Sequence, residues 1–284
     1  MFLVMGPTIR RRRLGADLRR LREARSLKLE DVASRLGVAP STLSRIETGK
    51  APTRTSYLAI MLDLYGIDDQ AERRTFMEMA REGQRKGWWA QAEDTLPAGY
   101  GTYLGLESES SAIDAFAERV VPGLASTDDY ALAVLRASRP GLTAEQAGRL
   151  AAVQRRRREL LSDGPGRRVR LVIDEAALLR AVAPAPVMRQ QLEFLARVQP
   201  GREVRVLQLA SRTVLSPGFA VLSFASPGDG DVVAAVGIRG RLHLEQRALE
   251  VRAMRELFGA LAQAALPPDR SAALIGDLAK RYDS

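Results

Sequence analysis

Three short apolar-periodic segments packed into residues 14–49 constrain this chain more than any other feature. Leu14, Leu18 and Leu21 recur at i, i+4 and i+7 with charged residues between them, the stripe of an amphipathic helix running to about Ser26. Leu27 and Leu29 bracket a break. A shorter helix then buries Val32, Ala33 and Leu36 and stops at Gly37, the residue type that closes helices in the left-handed conformation. After Val38 and Ala39, Pro40 suits the first position of a third helix, because its missing N–H would have had no partner there. Leu43 and Ile46 form that helix's buried edge, and Gly49 ends it. Two helices of about eight residues, joined by a Gly-containing turn and held close by the small Ala33, have the layout of a helix-turn-helix. Any tight helical hairpin shares that layout, so the spacing alone leaves DNA binding open.

Charge narrows the choice. The first 62 residues hold 13 basic and 5 acidic side chains, while the remaining 222 hold 30 and 29. Almost all of the net +9 therefore sits in the first fifth of the chain, the footprint expected of a nucleic-acid-binding domain or of a basic tail that aids solubility. The excess of arginine over lysine comes with abundant Ala and Gly, so it reflects coding bias and says nothing about phosphate recognition.

The letters themselves go further. Leu18-Arg-Arg-Leu-Arg-Glu-Ala-Arg25, Leu29-Glu-Asp-Val-Ala-Ser-Arg-Leu-Gly37 and Ser41-Thr-Leu-Ser-Arg-Ile-Glu-Thr-Gly49 together resemble the Cro/CI-type (Xre-like) helix-turn-helix family without a gap. The resemblance implies that the third helix enters the major groove of double-stranded operator DNA. Carried over by position, Pro40, Ser41, Thr42, Ser44 and Arg45 face the groove. Arg45 is the candidate for bidentate contact with guanine, and the three hydroxyls reach base or phosphate. Ser44 has the alternative of bonding back to its own helix. Lys28, Lys50 and Arg54 stand where the family contacts phosphates, and Glu47 is implied to pair with Arg22. Leu29 replaces the family's usual phosphate-binding Gln, and Ala39 replaces its usual Ser cap.

Leu58, Met61, Leu62 and Tyr65 mark a fourth helix stopped by Gly66. Asp69 with Glu72 reads as a capping box for a fifth, burying Phe76, Met79 and Ala80. An all-α five-helix domain over 1–86, with its helix-turn-helix core at about 17–66, is thus expected, with Gly87-Trp-Trp as the boundary to a second domain over 87–284. That domain begins with helices between Tyr100 and Ala137, divided at Val121-Pro-Gly-Leu124 and resumed through Thr127 as N-cap. A long helix from Thr143 to Leu161 carries Arg155 to Arg158, most of which are expected to be solvated. The period then changes to two: strands at 169–174, 204–209, 219–224 and 231–236, a helix at 187–198, and closing helices at about 245–265 and 269–282. A mixed α/β domain follows, a small β-sheet covered by helices.

Gly87-Trp-Trp, Glu107, Val121-Pro-Gly-Leu with Thr127 and Tyr130, and Ile173-Asp-Glu-Ala-Ala-Leu178 followed by Gln190-Gln-Leu192 resemble the uncharacterised C-terminal domain that follows Xre-type motifs in antitoxin-like regulators of high-GC Gram-positive bacteria. Such regulators are often encoded beside a very short partner protein. The chain has Ala234-Ala235 and Leu207-Gln-Leu209 where that family usually carries Tyr and Glu, and Leu-Pro.

No cysteine is present, which removes disulfides, thiolate metal sites and thiol nucleophiles, and the lone His243 supports no zinc site. No Gly-x-Ser-x-Gly elbow, phosphate-cradling loop or His-Glu-x-x-His occurs, so no catalytic residue, cofactor or metal is expected. No membrane span or signal peptide is read, so the expected location is cytoplasmic. The expected function is a sequence-specific, DNA-binding transcriptional regulator, homodimeric, whose C-terminal domain binds a metabolite effector or a small partner protein. The alternative is an antitoxin-like interaction protein that sequesters a small partner, with DNA binding secondary. Glu107, Asp174 and Glu175 are the acidic candidates for contact with the ligand or partner.

Overall fold

The computed structural model describes residues 7–162, 167–197, 201–212, 216–226, 229–236 and 242–282. They divide into two units, Met1–Ala90 with Ser226–Asp229, and Gln91–Ala225 with Gly230–Ser284. The first unit thus runs a few residues past the expected boundary and keeps both tryptophans, whose rings meet edge to face at 5.6 Å.

In the first unit the leucine stripe lies on α1 (Pro7–Ala24), followed by α2 (Leu29–Leu36), α3 (Pro40–Glu47), α4 (Thr55–Leu64) and α5 (Gln70–Gly83). The apolar positions legible in the sequence converge on one core: Leu14 and Leu18 meet Val32, Ala33, Leu43, Ile46, Met61 and Phe76. The turn between α2 and α3 depends on Gly37, at φ +65°, where the amides of Gly37 and Val38 close onto the carbonyls of Ser34 and Ala33. Gly15 is as necessary. A Cβ there would run into the carbonyl groups of Ile46 and Glu47, so α1 and α3 cross with their backbones in near contact.

The second unit contains α6 (Tyr100–Glu109), β1 (Ala112–Ala117), α7 (Asp128–Ser138), α8 (Ala144–Ser162), β2 (Arg168–Asp174), α9 (Glu175–Leu179), α10 (Ala185–Ala196), β3 (Arg202–Leu207), β4 (Phe219–Ser223), β5 (Val232–Val236), β6 (Leu242–Glu245), α11 (Ala248–Ala264) and α12 (Pro268–Lys280). Among the described residues the strands form one six-stranded sheet, ordered β3-β2-β1-β4-β5-β6. The β1–β2 and β2–β3 pairs are parallel, and the other pairs are antiparallel.

Two strands correct the sequence expectation. Residues 112–117 lie in a stretch expected to be helical, yet β1 is at the centre of the sheet. The segment is buried on both faces, so it shows no alternation, and its alanines carry no strand preference. Pairing with β2 and β4 decides its conformation. At the opposite end, β6 forms an edge strand that carries the exposed His243.

Register assigns the two faces. Asp114 and Phe116 share one face with Arg170, Val172, Phe219 and Val221, and α11 covers it through Val251, Phe258 and Leu261. On that face Arg170 grips Asp114 with two bonds of 2.7 and 2.6 Å, beneath the Phe258 ring. Ala115, Ala220 and Ala234 lie on the other face, in register across β1, β4 and β5.

Candidate DNA interface and a cavity in the second unit

Helix α3 buries Leu43, Ile46 and Glu47. Its outward face presents Pro40, Ser41, Ser44 and Arg45, all exposed, with Thr42 half-buried beside them. Ser41, Ser44 and Arg45 lie at i, i+3 and i+4 and therefore share one side of the helix. Thr48, by contrast, donates its hydroxyl to the Ser44 carbonyl at 2.8 Å. Among the described residues no ion pair or hydrogen bond engages the Arg45 guanidinium or the Ser44 hydroxyl.

The inward face is fixed electrostatically. Arg22 on α1 donates to both Glu47 oxygens, at 2.7 and 2.9 Å, and to the Leu27 carbonyl at 2.9 Å. Both partners are buried, so the bidentate pair pins the end of α3 to α1. The Glu47 hydrogen bond holds the Arg22 pKa above its usual value, against the opposing effect of burial.

Lys28, Lys50 and Arg54 are exposed. Lys28 is the N-cap of α2 and Arg54 the N-cap of α4, and neither supplies a capping side chain. Ala39 leaves the start of α3 uncapped in the same way. Asp69 does cap α5, accepting from the amides of Ala71 and Glu72. Three helix starts in this unit thus lack a side-chain cap, and of the two that carry a cation there, α2 answers its dipole with Glu30 and Asp31 while α4 has no acidic residue in its first turn.

The three acidic candidates of the second unit are engaged within the protein. Glu107 is 1% exposed and takes a bidentate bond from Arg157 as well as the Tyr103 hydroxyl. Asp174 caps α9 through the Ala176 amide at 2.8 Å, and Glu175 accepts from the Leu209 amide at 3.0 Å. The other residues of the second motif form a knot: Gln191 accepts from the Thr127 amide at 2.6 Å and donates to the Ala125 carbonyl at 2.9 Å, while the Val121 amide donates to the Tyr130 hydroxyl. They act as structural residues, holding the 121–127 segment against α7 and α10.

That segment forms part of the wall of a cavity of about 740 Å³, whose lining includes none of Glu107, Asp174 and Glu175. Its floor includes Ala115, Ala220 and Ala234. Its walls come from Tyr100 and Tyr103 on α6, Val134 and Leu135 on α7, and Gln154 and Arg157 on α8. The sequence reading missed this site. Its signal was the set of alanines at strand positions where larger side chains would fill the space, and no single strand reveals their register.

These two sites define a class: a DNA-binding regulator with a helical reading unit and an α/β unit containing a cavity. Residues 13–76 match the family described as "Helix-turn-helix domain", and residues 100–277 match "Domain of unknown function (DUF5753)". The second match spans more than half of the chain, and the protein belongs to that family. No curated protein and no solved structure matches the chain.

Proposed function

We propose that the protein is a sequence-specific transcriptional regulator that binds operator DNA as a cytoplasmic homodimer. Its second unit biases operator occupancy by binding a small molecule or a partner protein, without chemical turnover. The observation that carries this reading is the outward face of α3, where Ser41, Ser44 and Arg45 are exposed together and Arg45 has no protein partner among the described residues. A phosphate at the start of α4, whose first turn holds no acidic residue, would offset the unfavourable placement of Arg54, which supports a flanking contact there. A second reading, an antitoxin-like scaffold for which DNA is secondary, draws on one observation: α3 starts at the uncapped Ala39.

The test is selection of a binding site from random duplexes, followed by substitution. Arg45→Ala should weaken the selected site by about 1–3 kcal/mol and relax preference at one base pair. Lys50→Ala should weaken selected and random DNA alike and lower the salt slope by about one. Equal losses on both DNAs for Arg45→Ala would remove its base-reading role, and failure to select any site would favour the scaffold reading.

A further inference from the structure

The cavity in the second unit has a size, a wall chemistry and an unbalanced charge that together specify a ligand. At about 740 Å³ it lies inside the range of roughly 300–1,000 Å³ typical of small-molecule sites, and it is too small to house a folded partner. Most of its lining is apolar, including the alanine floor, Val120, Val134 and Leu135. The charged residues of the lining are Glu118, Arg119, Arg139 and Arg157. Arg157 is neutralised by Glu107 behind it, and Arg119 pairs with Glu118 at 2.8 Å. Arg139 differs. It donates to the Thr95 carbonyl at 2.7 Å, which fixes its position, but no carboxylate among the described residues balances its charge. Tyr100 adds a second donor: its hydroxyl oxygen accepts from Arg157, and its own proton has no acceptor among the described residues.

We propose that this cavity binds an apolar small molecule carrying one anionic group, with Arg139 as its counter-ion and the Tyr100 hydroxyl as a second donor. An apolar body covers the half-buried Val120, Val134 and Leu135 above the alanine floor, and the anion meets the one lining cation without a carboxylate partner among the described residues. The inference rests on the proposed sensing role of the second unit and names the ligand class of its site.

Two fluorescent probes with the same rings test it on the full chain: anilinonaphthalene sulfonate, which is anionic, and uncharged N-phenyl naphthylamine. The sulfonate should bind at one per chain and more tightly than the neutral probe. Arg139→Gln should weaken the sulfonate on the order of tenfold and leave the neutral probe unchanged. Val236→Trp, at a lining residue that is 53% exposed and so tolerant of bulk, should abolish both. Val134→Trp on the α7 wall serves if Val236→Trp fails to fold by circular dichroism. Probe binding untouched by a folded tryptophan variant would overturn the site. Equal affinities for the two probes, or equal weakening by Arg139→Gln, would overturn the anionic class. The sensing role is read separately: wild-type operator affinity that saturating sulfonate probe leaves unchanged counts against sensing and leaves the cavity assignment standing.

Discussion

Arg157 shows how little a run of identical letters says about any one of them. The sequence reads most of Arg155 to Arg158 as solvated, and the structure sorts the four by angle around α8 and buries one. Arg155 and Arg156 are exposed, Arg158 is half-buried against the Ser126 carbonyl and Asp128, and Arg157 is 5% exposed. The reason lies in the helical stripe, since Ala147, Leu150, Val153 and Arg157 face inward at successive turns. A buried guanidinium is tolerable because Glu107 meets it in a bidentate pair and the Tyr103 hydroxyl completes the cluster. Burial, reinforced by the Glu107 charge, pushes the Tyr103 pKa well above its usual value and keeps the phenol protonated. Glu107→Gln keeps the volume but strands the Arg157 charge, and should cost about 3–5 kcal/mol of unfolding free energy. Glu107→Gln with Arg157→Met should recover much of that loss. Chemical denaturation measures both, and a single-variant loss below about 1 kcal/mol would show that the charge finds another partner.

At the scale of elements, the helix-turn-helix and the sheet became legible in different degrees. The ends of α2 and α3 follow from Gly37 and Pro40, residues with local consequences, and both helices form where expected. Strand β1 has no such markers, and its Ala-Ile-Asp-Ala-Phe-Ala sequence takes its state from the neighbours on either side. The β6–α11 junction offers a test by pH. Glu245 accepts from the Arg247 side chain and from the amides of Arg247 and Gln246, which lowers its pKa from 4.5 to about 2. A carboxyl depressed in the folded state stabilises the fold above its unfolded value and loses that contribution as pH falls through the folded value. Glu245→Gln should therefore flatten the decline in stability between pH 4.5 and about 2, read from urea titrations across that window. The site is exposed, so the effect is modest. An unchanged slope would place the acid sensitivity elsewhere.

For the whole molecule, charge is concentrated in the first fifth of the chain, on the helix-turn-helix unit, and the rest is nearly neutral. One helix-turn-helix covers too little DNA for tight specific binding, so the proposed homodimer should place two α3 helices on half-sites about one helical turn, ~34 Å, apart. Footprinting should then show a two-fold-related site, and sedimentation a dimeric mass. A single half-site footprint together with a monomeric mass would contradict the proposal. If ligand and operator are coupled, each must change the other's affinity by the same factor, so probe affinity measured with saturating operator supplies an independent check on the effector reading.

The sequence by itself determined most of the first unit, because its helix ends and apolar stripes are set by local spacings, while the Arg22–Glu47 pair was implied by the family resemblance. It also determined the helix-turn-helix and the alternation from helix to strand after residue 168. Tertiary structure alone decided three things: that Gly15 lets α1 and α3 touch, that residues 112–117 become the central strand, and that three alanines from three strands meet beneath a cavity. Each depends on which distant segments come to lie side by side, and hydrophobic periodicity carries no information about that.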